Sequence, residues 1–310
     1  MGRKRRGQPI NGWISIDKPA GCTSTQVMAR VRRCVDAAKA GHGGTLDPIA
    51  TGVLPIALGE ATKTVSYVMD GQKRYKFTVS WGEERTTDDL EGEVKTVNDY
   101  RPSESEILAV MEEFTGTIEQ VPPNFSAIKI DGKRAYSLAR AGKSVSLKKR
   151  PVVITNLSLV DVPNKDCAVF EMTCGKGTYV RSLARDMGRH LNTSGYVKEL
   201  RRIQCGPFLE TNSISLETLE TLVHSAPPSA YLLSVETALD DIPALALNIT
   251  QADHLRHGRP VRVQDTEGRS HVETGFLVDG DVFCAMADGR PVALARLIDG
   301  EIRVIRGLNI

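Results

Sequence analysis

The chain has 310 residues, a formal net charge of +2 and six cysteines, and its apolar and charged content is ordinary for a globular protein. We expect no membrane span, because no apolar run is long enough to cross a bilayer. We also expect no secretory signal, because the basic start MGRKRRGQPI lacks a following apolar stretch. The cysteines show no CxxC spacing, which predicts buried free thiols in a reducing cytoplasm and argues against a disulfide scaffold.

Basic side chains cluster in two segments of this nearly neutral chain. Residues 1–40 carry nine lysines and arginines against two acids, and residues 121–150 carry eight against one. Residues 83–113 are acidic, with eleven acids against three bases, and the chain from residue 232 onward has twelve acids, eight arginines and no lysine. Two separate basic segments are typical of a nucleic-acid-binding protein, although either one alone is more typical of solvated surface.

Strand and helix patterns are intermixed without a regular βαβ order, which favours the α+β class with a mostly antiparallel sheet. The strand containing Tyr75 alternates aromatic and polar residues, and Ser103 and Glu106 form a capping box. In the last predicted helix Tyr179 faces inward and Arg181 faces the opposite side. The predicted elements are strand Gly12–Ile16, helix Thr23–Cys34, strand Lys73–Trp81, helix Ser103–Phe114, strand Phe125–Ile130, a short helix reaching Gly142, strands Val152–Val162 and Ala168–Cys174, and helix Tyr179–Leu191.

A change in the pattern predicts a second, smaller domain at the C-terminal end. A Pro-Pro-Ser stretch and an Asp-Asp-Ile-Pro stretch mark a linker at residues 227–243. Short strands separated by Asp and Gly turn signals then predict a small β-barrel. The turn signals are Asp265–Gly268, Asp279-Gly280, Asp288-Gly289 and Asp299-Gly300.

Several cofactor and metal motifs are incomplete. The stretch Gly142-Lys143-Ser144 is not a phosphate-binding loop, because Ser137 stands where the first glycine is required. The pair His254 and His257 lacks a third metal ligand, and His271-Val-Glu273 is not followed by the PCxxC of a base deaminase. We therefore expect chemistry that uses ordinary side chains, without a metal or a cofactor.

The stretch GHGGTLDPIATG, Gly41–Gly52, surrounds Asp47 with glycine. An Asp-Pro pair taken alone is more often a helix start. Glycines at 41, 43 and 44 allow unusual backbone angles and close approach of another molecule, so we predict a loop that presents a carboxylate to a large partner.

Three other residues have both an ordinary and a functional interpretation. Tyr75 is typical of core packing, Arg181 with Arg185 is typical of a solvated basic stripe, and Asp89 suits a simple turn. The functional interpretation therefore depends on the residues taken together.

Six sequence blocks, in order along nearly the whole chain, resemble those of one family, the bacterial tRNA pseudouridine-55 synthases. The blocks are DKPAGCTS (Asp17–Ser24), GHGGTLDPIATGVLPIALGEATK (Gly41–Lys63), KRYKF (Lys73–Phe77), VPPNFSAIKIDGKRAYSLARAG (Val121–Gly142), GTYVRSLARDMG (Gly177–Gly188) and LRRIQCGPF (Leu200–Phe208).

The resemblance implies a fold and a reaction. Residues 1–226 would form a pseudouridine-synthase catalytic domain with a central mixed, mostly antiparallel sheet, and 244–310 would form a PUA-like RNA-binding β-barrel. One uridine in the T loop of tRNA, at position 55, would be isomerised: the glycosidic bond from N1 breaks, the base rotates, and C5 is joined to the ribose. No cofactor or metal would take part.

The resemblance also assigns roles to the candidate residues. Asp47 would be the catalytic carboxylate, held by Arg181 in a charge-assisted pair that Asp89 extends. A free aspartate has a pKa of about 4, so it would be ionised; attack on the base, attack on the sugar and removal of a ribose proton all remain open. Tyr75 would stack on the extruded uracil, which contributes about 1–3 kcal/mol against the few kcal/mol of base extrusion.

Four further residues would contact the substrate. His42 would fill the space that the base vacates or touch the RNA loop, and Tyr179 and Leu200 would line the uracil pocket. Lys18 would contact phosphate or brace the Asp47 loop.

The segment at about 123–150 matches the family's RNA-gripping insertion, which would neutralise phosphates of the T stem-loop. Its basic residues are Lys129, Lys133, Arg134, Arg140, Lys143, Lys148, Lys149 and Arg150. Phe125 stands where the family often has tyrosine, and the acidic C-terminal barrel would bind RNA weakly or through its arginines alone.

Two alternatives remain open at this point. A dyskerin-like synthase directed by a guide RNA within a protein complex is disfavoured by the basic insertion and the lack of charged tails. An RNA-binding or RNA-folding factor without activity is disfavoured because Asp47, Tyr75 and Arg181 occur together. We expect a cytoplasmic monomer that binds tRNA, with no membrane contact and no obligatory protein partner.

Overall fold

The structure is a computed structural model that describes residues 7–126, 128–130, 132–141, 147–266 and 277–310. No helix within these ranges has the length and apolar character needed to cross a membrane. The strands before residue 226 are β1 (Gly12–Lys18), β2 (Ala40–His42), β3 (Thr51–Leu58), β4 (Lys73–Trp81), β5 (Glu83–Arg85), β6 (Val94–Val97), β7 (Gly116–Gln120), β8 (Lys129–Ile130), β9 (Lys133–Arg134), β10 (Arg150–Asn164), β11 (Cys167–Cys174), β12 (Gly195–Cys205) and β13 (Phe208–Leu209). The helices are α1 (Ser24–Cys34), α2 (Val65–Asp70), α3 (Glu104–Met111), α4 (Ala135–Arg140), α5 (Val180–His190) and α6 (Leu216–Ser225).

A nine-stranded sheet forms the centre of this part, in the order β1-β3-β12-β4-β11-β10-β7, with β2 beside β3 and β13 beside β12. Its described pairs are antiparallel except for β3 with β12, which are parallel. The predicted α+β class and mixed, mostly antiparallel sheet are therefore confirmed. The pairing of β12 with β4 places Arg202 opposite Tyr75 at the middle of the sheet.

Helix α5 packs on this sheet and contacts β12 and β4. Its apolar residues Leu183 and Met187 are fully buried, as the amphipathic pattern predicts. Arg181 and Arg185 are buried as well, at 3% and 8% exposure. The interpretation of these two arginines as a solvated basic stripe is therefore wrong, because aspartates from a distant turn cover them.

Local sequence signals set most of the helix and strand ends. Thr23 caps α1, and the predicted capping box of Ser103 and Glu106 opens α3. Strand β4 has the predicted bounds, and β1, β10, β11 and α5 differ from prediction by at most two residues at either end. Of the predicted strand Phe125–Ile130, only Lys129–Ile130 is a strand among the described residues, and the Phe125 carbonyl accepts a hydrogen bond from Arg181 instead of one from a neighbouring strand.

The C-terminal part is a single five-stranded sheet with one helix across it. Its order is β14-β16-β17-β18-β15, and only the β14–β16 pair is parallel. The turns at Asp288-Gly289 and Asp299-Gly300 have positive φ at both residues, as two-residue hairpins require. These elements are β14 (Ala244–Ala246), α7 (Ile249–Arg256), β15 (Val261–Arg262), β16 (Val282–Ala287), β17 (Arg290–Ile298) and β18 (Glu301–Gly307).

The predicted small β-barrel is not confirmed, since the described residues form one five-stranded sheet. Part of the predicted turn Asp265–Gly268, and the His271-Val-Glu273 stretch, lie outside the described residues.

The predicted linker is packed against the nine-stranded sheet. Leu233 pairs with Trp13 of β1, and Val235 and Ala238 are buried in the cluster that contains Trp13 and Phe208. The segment before residue 243 is therefore part of the folded surface.

Candidate active site

Asp47 lies in the loop between β2 and β3, and its carboxylate is paired with Arg181 of α5. Nη2 of Arg181 donates to Oδ1 at 3.0 Å. Nε lies 2.8 Å from Oδ2, although not in hydrogen-bond geometry with any described residue. The Asp47 side chain is 32% exposed, whereas that of Arg181 is 4% exposed. No helix begins at Asp47-Pro48, so the helix-start interpretation is wrong, and the loop presents one carboxylate at the surface.

The Arg181 guanidinium is fixed on its other sides by backbone and by a second carboxylate. Nη1 donates to the carbonyl of Thr87 and Nη2 to the carbonyl of Phe125, both at 2.9 Å. Nε lies 3.6 Å from Oδ2 of Asp89, which is buried and accepts from the Thr87 hydroxyl and the Glu91 amide. Burial raises the pKa of Asp89, and the Thr87 hydrogen bond and the Arg181 charge offset only part of that rise.

A buried serine holds the residue before Asp47. Ser24 Oγ accepts from the Leu46 amide at 2.8 Å and donates to the Leu46 carbonyl at 3.0 Å. Ser24 is the first residue of α1, and Thr23 caps that helix, so the Ser24 hydroxyl is available to the loop. Ser24 therefore positions the catalytic loop.

A buried lysine holds the residues after Asp47. Nζ of Lys18 donates to the carbonyls of Pro19, Pro48 and Ala50, at 2.8, 3.2 and 2.7 Å. Removal of this ammonium from water lowers the pKa of Lys18 to about 8. Because its three donors point to carbonyls, the geometry supports bracing of the Asp47 loop and not a phosphate contact.

The glycines near Asp47 allow the loop to pack closely on the protein. A Cβ at Gly43 would lie 2.7 Å from a methyl group of Val68, and one at Gly52 would lie 2.2 Å from the Arg202 carbonyl oxygen. Gly44 has a φ of +124° and lies over the Arg202 guanidinium. Gly43 is therefore packed tightly against the protein, and Gly44 has the unusual backbone angle that the sequence predicts, whereas the close approach of another molecule to this loop stays a prediction.

Arg202 of β12 is a buried cation that sequence reasoning missed. It is 1% exposed, and it donates from Nε to the Val53 carbonyl at 2.8 Å and from Nη2 to the Gly44 carbonyl at 3.0 Å. No carboxylate among the described residues forms an ion pair with it. The signal was available, because Arg201 and Arg202 are adjacent on a strand and must point to opposite faces.

Tyr75 and Leu200 lie on the two central strands. Tyr75 is half-buried, and burial raises the pKa of its phenol to about 12, although the charge of Arg202 and its hydrogen bond to Tyr75 oppose the rise. The hydroxyl therefore stays neutral at physiological pH. Leu200 is 8% exposed and pairs with Phe77.

Tyr179 and His42 lie at the edges of the same region. Tyr179 immediately precedes α5, and its ring packs against the Arg150 guanidinium. His42 ends β2 and pairs with Ile56 of β3. Arg181 thus lies beside both Asp47 and Asp89, and the other predicted residues lie on β1, β2, β4 and β12 and immediately before α5.

A second buried pair lies one helical turn further along α5. Nη1 of Arg185 lies 2.9 Å from Oδ2 of Asp88, and Nη2 donates to the Val121 carbonyl at 2.9 Å. Asp88 has a φ of +60°, in the left-handed region. Sequence reasoning did not assign this pair, although the spacing of Arg181 and Arg185 places both on one helix face.

The basic insertion divides into exposed and anchored residues. Lys148 and Lys149 are exposed, whereas Arg150 donates from Nη2 to the Gly177 carbonyl at 2.6 Å. Arg150 is therefore half-buried and bonded to the protein, whereas its role in RNA binding stays a prediction. Lys143 lies outside the described residues, and only the backbone is described for Lys129, Lys133, Arg134 and Arg140.

Within the described ranges, no three His, Cys, Asp or Glu side chains are grouped to hold a metal ion. All six cysteines are unpaired thiols, four of them buried and two half-buried.

The architecture matches known structures over nearly its whole length. A chain of a Cbf5-Nop10-Gar1 complex aligns with a TM-score of 0.73 at 24% identity, covering 96% of this chain and 85% of the other. A chain of an H/ACA RNP bound to a substrate RNA containing 2′-deoxyuridine gives 0.74 at 23% identity, covering 100% and 92%. At this identity the likeness shows only that the chain shares its fold with these structures.

Sequence comparisons show the family to which the chain belongs. Residues 32–180 match the model of the TruB family pseudouridylate synthase N-terminal domain, and residues 181–240 match that of the tRNA pseudouridylate synthase B C-terminal domain. Similar relatives include tRNA pseudouridine synthase B of Rhodospirillum rubrum, 51% identical over all of both chains. The enzyme of the same name in Bradyrhizobium diazoefficiens is 52% identical over 99% of this chain and 88% of its own. The chain belongs to the TruB family of pseudouridylate synthases.

Proposed function

We propose that this protein isomerises uridine 55, in the T loop of tRNA, to pseudouridine. The observation that carries the proposal is the partly exposed Asp47 carboxylate, bonded to a buried Arg181 that also lies beside Asp89. The relatives of about 50% identity, all named tRNA pseudouridine synthase B, support the same substrate class.

The reaction needs no external reagent, because product and substrate are isomers. The N1–C1′ bond breaks, the uracil turns, and a C5–C1′ bond forms. C5 loses one proton and N1 gains one. No oxidant, reductant or group donor is consumed, which supports the proposal of a cofactor-free enzyme.

Asp47 supplies the reactive oxygen in this proposal. Oδ1 accepts the directed hydrogen bond of Arg181, whereas Oδ2 receives none from Nε. Oδ2 therefore keeps its acceptor capacity toward the nucleotide, while the adjacent guanidinium stabilises the negative charge. Asp89 faces the same guanidinium and limits its orientation.

Aromatic and apolar side chains on neighbouring elements bind the extruded uracil. Tyr75 stacks on the base, and Tyr179 and Leu200 line the pocket. His42 contacts the RNA loop. Stacking contributes about 1–3 kcal/mol, which offsets part of the few kcal/mol that extrusion costs.

Binding of the T stem-loop is assigned to the basic insertion at about 123–150, without Arg150. The unit at 244–310 is assigned as a PUA-like RNA-binding domain, joined at 227–243 to the catalytic domain 1–226. We place the protein in the cytoplasm, where it acts on tRNA as a monomer and without a protein partner. The identity to relatives named for tRNA supports a tRNA substrate over a guide-RNA complex.

The test is to map pseudouridine on an unmodified tRNA transcript after incubation with the pure protein. We expect one modified site, at position 55, and none in a transcript with cytidine there. Modification that requires added guide RNA and partner proteins would support the guide-directed alternative. Tight tRNA binding without product would support the folding-factor alternative.

A further inference from the structure

Arg150 lies at the end of the basic insertion, and its contacts differ from those of the two lysines before it. Lys148 and Lys149 are exposed. The Arg150 guanidinium carbon lies 5.1 Å from the centre of the Tyr179 ring, and Nη2 donates to the Gly177 carbonyl. Nε is shielded from solvent and has no hydrogen-bond partner among the described residues. The guanidinium is thus held by protein on several sides.

A second contact to Tyr179 comes from Gln120, the residue that pairs with Arg150. Arg150 is the first residue of β10 and pairs with Gln120 of β7. The buried Gln120 side chain donates to the Tyr179 carbonyl at 3.1 Å and accepts from the Tyr179 amide at 2.8 Å. Arg150 therefore packs on the Tyr179 ring, while Gln120, its partner on β7, binds the Tyr179 backbone.

These contacts lie directly beside the catalytic pair. Tyr179 precedes Arg181 by two residues, and Gly177 has a φ of +83°, with its missing Cβ position 3.4 Å from Nη2 of Arg150. At its other end the insertion is bonded to the same helix, because Arg181 donates to the Phe125 carbonyl. Both ends of the insertion therefore meet at the start of α5.

From this geometry we infer that Arg150 is a positioning residue for the isomerisation: it holds the Tyr179 ring in place at the uracil pocket and does not bind phosphate. The inference rests on the proposed function, because Tyr179 contacts a uracil only if the protein extrudes one. A guanidinium stacks on a tyrosine ring and bonds a carbonyl through its planar fork, which an ammonium does not reproduce.

The test compares two readouts in the full-length protein: the single-turnover rate at saturating tRNA, and the slope of log tRNA affinity against log salt. Arg150→Gln should lower the saturated rate about tenfold and leave the slope unchanged. Arg150→Lys should lower the saturated rate by about the same factor, since lysine keeps the charge but not the planar guanidinium. Lys149→Gln should instead flatten the slope by about 0.7–0.9. Lys165→Gln, exposed in the β10–β11 turn, is the charge control and should match the wild type.

A double variant tests whether Arg150 acts through the ring. Tyr179→Leu combined with Arg150→Gln should be no slower than Tyr179→Leu alone, with thermal midpoints confirming that each variant folds. Full rate in Arg150→Lys, a flattened salt slope in Arg150→Gln, or multiplied losses in the double variant would overturn the inference. A wild-type protein that forms no pseudouridine would instead count against the proposed function.

Discussion

At the scale of single residues, one buried guanidinium organises the candidate site. Arg181 donates to Asp47 and to two backbone carbonyls, and it lies 3.6 Å from Asp89. Removing Arg181 would leave the buried Asp89 carboxylate uncompensated, which typically costs about 3–5 kcal/mol, whereas replacing the partly exposed Asp47 leaves Arg181 beside Asp89. The orientation of the Asp47 carboxylate therefore depends on the shape of the guanidinium as well as on its charge.

We expect Arg181→Lys and Arg181→Met both to lower the single-turnover rate by at least about a hundredfold, since small misplacements of a reacting group cost that much. Lysine keeps the charge but cannot bond Asp47, Thr87 and Phe125 at once. Arg201→Met, on the outer face of β12, is the matched control for folding. Full activity in Arg181→Lys would mean that only a positive charge is required.

The lowered pKa of Lys18 predicts that the rate of isomerisation depends on pH. Above its pKa of about 8 the neutral amine can donate at most two of its three hydrogen bonds, so the loop after Asp47 loses bracing. We expect the saturated rate to fall as pH rises through about 8. Between 8 and the ordinary value of 10.5, the unfolded chain binds a proton that the folded chain has released. This group therefore favours the folded state increasingly as pH rises.

Rates and denaturation midpoints measured together from pH 7 to about 9.5 check this prediction. The loss of rate should precede any loss of structure. A rate that stays constant over this range, or that falls only with unfolding, would contradict the role given to Lys18.

At the scale of elements, the sequence predicted the helices and strands whose patterns depend on residues close in the chain. It did not predict contacts between residues far apart in the chain. Alternation predicted β4 and amphipathic spacing predicted α5, because both patterns depend on residues close in the chain. The burial of Arg185 was not predictable in this way, since its partner Asp88 lies 97 positions earlier. The false strand at Phe125 has the same cause: Arg181, 56 positions later, takes its carbonyl.

The outcome is similar for the candidate site, where the sequence predicted some residues and missed others. The family resemblance named Asp47, Arg181 and Asp89, which the structure brings together. It did not assign a role to Ser24 or Arg202, because both bond mainly to backbone groups and leave no complementary charge in the sequence. The tight packing of Gly43 and Gly52 was not predicted, since such close contacts become visible only in three dimensions.

The exposed lysines of the insertion carry a prediction of their own. Replacing Lys148 and Lys149 with glutamine should flatten the salt dependence of tRNA binding and raise the apparent Michaelis constant. Each neutralised phosphate contributes roughly 0.7–0.9 to the slope. Filter binding between 50 and 200 mM salt measures it. An unchanged slope would show that these lysines are ordinary solvated surface.

At the scale of the whole molecule, the C-terminal sheet is docked on the segment that follows β3. Nζ of Lys63 donates to the Gly307 carbonyl and the Asn309 amide donates to Glu60, both at 2.8 Å. Tyr67 of α2 packs in a cluster with Leu239 and residues of β16 and β17. The acidic C-terminal part therefore supports the catalytic domain directly.

Truncation after residue 243 should lower the thermal midpoint and weaken tRNA binding, because it removes these contacts and exposes Tyr67. Some turnover should remain, since Asp47, Arg181 and Asp89 all lie before the cut. Single-turnover assays at saturating tRNA on the folded truncation check this. A complete loss of turnover there would show that the C-terminal part takes part in the chemistry.

The central claim is that the Asp47 carboxylate performs the isomerisation, and Asp47→Asn tests it most directly. The substitution keeps the size of the side chain and removes its charge. Pseudouridine formation at position 55 of a saturating tRNA transcript, measured in a single turnover, should fall below detection while tRNA affinity and thermal midpoint stay near wild type. A variant that keeps even about a tenth of the wild-type rate, a barrier change of only about 1.4 kcal/mol, would contradict the claim.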